Sequence, residues 1–317
     1  MRNEYHGSFT AKLNHPFKKM TVKLRTLLFT FVMIFFIIAG WICFQLWQNN
    51  KFVEPPNRST VQGSLDSGIS WLGSHRSQIL SDSNPMLWWM LKESATLTEN
   101  STLIGLYEDY KVRYLDSSPN NVWSHLFYKD SIAPLNPMRL QNFPGYNIFF
   151  LYGASCSSSL GREMAVTEQL SPSFCDNHLF SPACATHQLM GFRFLQRRQC
   201  GNQKDTSGAI YSLQNRLVSQ LSWDFRLVDV YVQRVLMLVD SGAYERVKPV
   251  WIKRVLSEQN SDGGWSGFEP LIPLSKDLSI GFTFTSKVIG LDRNQSTFHP
   301  TVQGVLLMSL LLSVSKQ

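Results

Sequence analysis

Charge, cysteine, glycine and proline are all in short supply in this chain, and each shortage narrows its class. Charged residues make up 17% of the 317 and hydrophobic residues 44%, which excludes intrinsic disorder. Five cysteines are too few for a disulfide-dense mini-protein scaffold. With 19 glycines and 14 prolines, collagen and low-complexity readings fall as well. Neither standard phosphate-cradling glycine loop occurs. Gly153-Ala154-Ser155-Cys156-Ser157 begins like a nucleophile elbow but lacks the closing glycine.

What charge there is lies unevenly. Residues 1–26 hold six cations (Arg2, Lys12, Lys18, Lys19, Lys23, Arg25) against Glu4, which accounts for five of the seven net positive charges. A basic excess confined to one flank of an apolar run argues against a nucleic-acid partner. That run, Leu27–Trp47, is 21 residues without a charge, rich in Phe, Ile, Leu and Val. About 20 such residues cross a bilayer core as a helix. Trp41 and Trp47 stand toward one end, where amphipathic rings favour the interface. Phe44-Gln45-Leu46-Trp47 is a poor signal-peptidase site, so the expectation is an uncleaved signal anchor over 27–48. Its partner is the lipid bilayer. The positive-inside rule then keeps the basic tail 1–26 in the cytoplasm and sends the rest to the periplasm or lumen. Residues 49–60 read as a polar linker, and 61–317 as the exported domain.

In an oxidising compartment the cysteines outside the span, Cys156, Cys175, Cys184 and Cys200, are expected to form two disulfides. Three pairings are open; Cys175–Cys184 closes a short loop and is favoured, leaving Cys156–Cys200. Cys175, His178, Cys184 and His187 also have the residue types of a zinc site, but oxidation makes the disulfide the expected outcome, and no metal or cofactor is assigned.

Beyond residue 60 the pattern is helical nearly throughout. Met86–Leu91 and Tyr146–Ala154 are apolar on all sides, His187–Phe194 is mostly apolar, Leu227–Val239 nearly all apolar, and Thr301–Leu312 closes the chain with another apolar helix. Between them come one-sided segments: Leu103 to Tyr114, Gly161–Leu170, the Ile210/Leu213/Leu217/Leu221 stripe, and Val247–Gln259. Inner helices touched all round and outer helices wetted on one face produce this alternation. The expected fold is therefore all-α, an α/α-toroid-like domain of about five helical hairpins. Ser117–Phe143 and 260–296 are less helical, and Phe282-Thr283-Phe284-Thr285 alternates like a short strand.

Gln259-Asn260-Ser261-Asp262-Gly263-Gly264-Trp265 follows an outer helix and resembles the Q-x-x-D-G-G-W repeat of the terpene cyclase and prenyltransferase α/α toroids. A paired-glycine turn ends the helix, and Trp and Gln brace it against a neighbour. The resemblance implies a shape. The D-x-D-D acid motif of the cyclases does not occur in the chain, so isoprenoid chemistry is not implied.

Arg226, Asp229 and Gln233 share one face of a segment, Trp223–Asp240, that is otherwise apolar, where charges are either paired or line a wet cavity. His299 and Gln303 are four apart at the start of the last inner helix, and His187 and Gln188 begin another. These seven residues are the candidate ligand site; each histidine taken alone also fits a capping or core role. An Asp–His pair meeting in the cup suits acid–base work. The preferred function is a binding or interaction module for a glycan, a lipid-like ligand or a partner peptide. A carbohydrate-active hydrolase or lyase is the first alternative, and a structural subunit of an envelope complex the second.

Overall fold

A computed structural model describes residues 16–118, 120–177, 181–276, 278–283 and 288–314. It divides into two compact units, residues 1–48 and 49–317. The first is made by helix α1 (Pro16–Asn50). Its stretch Thr26–Asn50 has a mean hydropathy of 2.7 and buries none of its apolar window in the protein. At 1.5 Å per residue that stretch is about 37 Å long, enough to cross a hydrocarbon core of about 30 Å.

The second unit is mostly helical. In order come α2 (Arg58–Ser74), α3 (Arg76–Ile79), α4 (Pro85–Thr98), α5 (Ser101–Tyr110), α6 (Ser124–Phe127), α7 (Gly145–Ser155), α8 (Met164–Gln169), α9 (Cys184–Arg198), α10 (Gln203–Trp223), α11 (Asp229–Asp240), α12 (Pro249–Ser257) and α13 (Phe298–Val314). Asparagines start four of these. Asn57, Asn84, Asn100 and Asn202 each accept a first-turn backbone N–H, satisfying donors that have no partner within the helix. At the other end, α4, α7 and α9 stop on the left-handed residues Glu99, Cys156 and Gln199.

Burial alternates along the chain. Helices α4, α7, α9, α11 and α13 are covered on most or all sides, whereas α2, α5, α10 and α12 bury one face. The covered helices pack side by side in the order α7, α9, α11, α13, α4. Against them lie α8 on α7, α10 on α9 and α11, α12 on α11, α2 on α13 and α5 on α4. A single apolar core, with Trp71, Trp88, Trp251 and Trp265 wholly enclosed, runs through these contacts.

The Gln259–Trp265 stretch braces α2 against α12 and α13. Gln259 donates to the Ser64 carbonyl of α2 at 2.8 Å, and the Trp265 indole donates to the Val255 carbonyl of α12 at 2.8 Å. Asp262 accepts from the Trp71 indole and from the Ser296 hydroxyl. Gly263 has φ +92°, and a Cβ there would collide with the Ser67 carbonyl, so the turn requires glycine.

Two expectations need correction. The domain is not all-α: β1 (Glu269–Pro273), β2 (Ser279–Phe282) and β3 (Ile289–Asp292) form an antiparallel sheet in the order β1-β2-β3, with a bulge between Pro270 and Ile272. Strand β2 ends at Phe282, ahead of most of the expected 282–285 strand; Phe284 and Thr285 lie outside the described residues. Phe282 anchors the sheet in a small apolar cluster with Ala183, Val228 and Val230, while Ile272, Ile289 and Leu291 stay exposed. Second, Asn49 and Asn50 belong to the domain rather than to a spacer. The fully buried Asn49 amide donates to the Leu221 carbonyl at 2.6 Å, and its oxygen accepts from Tyr231 and Arg254 at 2.8 and 2.7 Å. The Trp251 indole donates to the Asn49 carbonyl at 2.9 Å.

Both disulfides are present, Cys156–Cys200 and Cys175–Cys184, the pairing that loop length favours. Bonded to each other, Cys175 and Cys184 offer no thiolate to a metal; His178 lies outside the described residues. The apolar helix and the two disulfides together fit a single-pass protein with its domain on the oxidising side.

Candidate functional site

The five covered helices bring their N-terminal turns to one cavity of about 520 Å³. Asn84, Pro85, Met86, Leu87 and Met90 line it from α4 and its cap, Tyr146, Asn147 and Phe150 from α7, and His187 and Met190 from α9. Asp229 and Gln233 come from α11 and His299 from α13. Trp123 and Phe143, from the irregular stretch between α5 and α7, complete one wall as a stacked pair with centroids 5.6 Å apart.

Asp229 and His299 are the charged centre of the cavity. The His299 Nδ1 lies 2.9 Å from the Asp229 Oδ1, an ion pair when the ring is protonated. The carboxylate is the sheltered partner, with 5% of its side-chain surface accessible, while the imidazole keeps 42% open toward the cavity. Asp229 is the first residue of α11, where the positive end of the helix dipole favours a carboxylate. Burial works against charge on His299, but the neighbouring Asp229, by charge and by hydrogen bonding, outweighs it. With a smaller push from Asp82, the pKa is held above the ordinary histidine value. One turn on, the fully buried Gln303 sets its amide nitrogen 3.4 Å from the His299 Nε2.

His187 is driven the other way. Burial, helped by the charge of His299 and only partly offset by Asp229, pushes its pKa down to about 4. Its ring stacks on Tyr146 with centroids 4.4 Å apart and meets Phe150 edge-on. The two histidines of one cavity are thus shifted in opposite directions from the ordinary value.

Of the seven candidates, His187, Asp229, Gln233 and His299 line the cavity, and Gln303 backs His299. Gln233 accepts from the Thr186 hydroxyl at 2.7 Å, which fixes its amide. Arg226 and Gln188 are elsewhere. Helix α11 begins at Asp229, so Arg226 precedes it and grips Asp224 with two bonds of 2.7 and 2.8 Å instead of pairing with Asp229. Arg234, itself buried, also reaches Asp224 at 2.8 Å. These two arginines hold the Asp224 carboxyl below the usual range in spite of its burial. Gln188 donates to the Gln169 and Ser171 carbonyls at 2.7 Å, pinning that loop to α9.

Sequence reasoning missed Asn84, Asn147, Tyr146, Trp123 and Phe143. Asn84 caps α4, and a cap on a helix that opens into the cavity lines it as well.

No family model matches the chain, and no curated protein or solved structure is significantly similar to it.

Proposed function

We propose that this is a membrane-anchored protein, with its basic N-terminus in the cytoplasm, whose exported domain binds a glycan in the cup at the N-terminal ends of α4, α7, α9, α11 and α13. The succession of covered and half-covered helices supports an α/α-toroid-like architecture of five hairpins, with the cup at one end of its inner layer.

One observation carries the glycan reading: a single cavity joins the rings of Trp123, Phe143 and Tyr146 to the polar side chains of Asn84, Asn147, Gln233, Asp229 and His299. A sugar ring has apolar C–H faces and a rim of hydroxyls, and it meets both kinds of surface at once. A hydrocarbon chain would desolvate those polar groups and offer them no partner of its own. Isothermal titration of the full chain in detergent with chitotriose tests the reading. Saturable binding that falls at least tenfold in Trp123→Ala is the expected result. Heat only on adding a fatty acid, and none with the saccharide, would replace the glycan by a lipid ligand.

A further inference from the structure

Building on the glycan reading, we propose that Asp229 and His299 form a general acid–base dyad that hydrolyses an acyl ester carried by the bound saccharide. The pair has a division of labour that binding alone does not require. Asp229 sits behind, almost closed off, against Nδ1; His299 stands in front with 42% of its side chain accessible to whatever fills the cavity. A carboxylate 2.9 Å from Nδ1 supports the charge the ring acquires on taking a proton at Nε2. Gln303, a turn along α13, lies 3.4 Å from Nε2, a long contact that an entering water has to displace.

The cavity also selects among reactions. Asp229 is the single acid among its lining residues. Glycosidic cleavage by the usual route places a second carboxylate across the scissile bond. β-Elimination from a uronate needs a cation to hold the sugar carboxylate, and no lysine or arginine is among the lining residues. Ester hydrolysis needs neither. His299 Nε2 takes a proton from water as the water oxygen bonds to the acyl carbon, and the C=O electron pair moves onto oxygen. When that pair returns, the carbon–alkoxide bond breaks and the sugar oxygen recovers the proton from His299. Carboxylic acid and free hydroxyl are the products, with no change of oxidation state. Helices α7, α9 and α11 point at the cavity behind cap residues Pro144, Ala183 and Val228, none of which supplies a side-chain cap bond.

The test is acetate release from partly O-acetylated chitotriose by the full chain in detergent, followed by NMR alongside chitotriose titration. The wild type should release acetate, and Asp229→Asn and His299→Gln should each lower kcat at least 100-fold, read at saturating substrate so that weaker saccharide binding does not enter the loss. In the wild type the rate should fall on the acid side as His299 becomes protonated, and Asp229→Asn should move that limb to lower pH. The pH profile needs no folded variant. Chitotriose binding without acetate release, or release indifferent to both substitutions, overturns the dyad and leaves the glycan site standing. Absence of saccharide binding overturns both.

Discussion

Asp229 and His299 are separated by 70 positions, and their contact rests on two helix starts facing the same space. Burial alone would lower the pKa of His299, and the 2.9 Å contact with Asp229 reverses that. A raised histidine pKa means that the pair stabilises the fold below the unfolded value and that this contribution is lost as pH rises through the folded value. Replacing Asp229 by asparagine should drop the His299 pKa below its ordinary value, read from the imidazole C–H shifts in an NMR titration; an unchanged value would deny the pairing. Glu258 makes the opposite point about burial. Burial and the neighbouring Glu269 raise its carboxyl to about 7, with Arg254 only partly offsetting them. Stability should therefore decline as pH rises from about 4.5 to 7, the interval between the unfolded and folded values. Glu258→Gln should flatten that decline, on the order of 2 kcal/mol at pH 8, in urea melts across the same range. At this scale the sequence was legible where a polar residue interrupts an apolar helix: His187, Asp229, Gln233 and His299 all proved to line one cavity. It misled where helical spacing was extended past the end of a helix. Arg226 lies three before Asp229, but the segment 224–228 is not helical, so the shared face does not exist there.

Helix ends decide much of the architecture, and three of them carry a cost. Gln199 holds φ +58° at the end of α9, in a region that penalises a Cβ. It is exposed, and glycine there should raise stability by about 0.5–1 kcal/mol, measured by thermal or urea unfolding. The disulfides differ in the length of chain they close, 44 residues for Cys156–Cys200 and 9 for Cys175–Cys184. On loop entropy alone, removing the longer bridge by a double alanine substitution should cost about 1.4 kcal/mol more than removing the shorter. Equal losses would point to strain or residual structure instead. The alternation of covered and half-covered helices was readable because apolar residues either ring a helix or keep to one stripe. The sheet was not. Its strands are only four or five residues long, and their apolar side chains are partly exposed, so the alternation that marks a half-buried strand is weak.

The whole molecule joins an apolar helix to a domain that starts at Asn49. Because that side chain satisfies Leu221, Tyr231 and Arg254 at once, Asn49→Ala strands two buried partners and frees the half-buried Arg254. A loss of about 2–4 kcal/mol in domain stability is expected; a loss under 0.5 kcal/mol would mean that this residue is not the fixed start of the domain. The cup, by contrast, is a property of the assembly, since no one helix supplies more than a few of its residues. Hydrogen–deuterium exchange of the full chain with and without chitotriose reads that directly. The account predicts that saccharide slows exchange together in the first turns of α4, α7, α9, α11 and α13. Protection confined to the groove lined by Tyr152, Phe192 and Lys204, or no protection at any of those five helix starts, would contradict it.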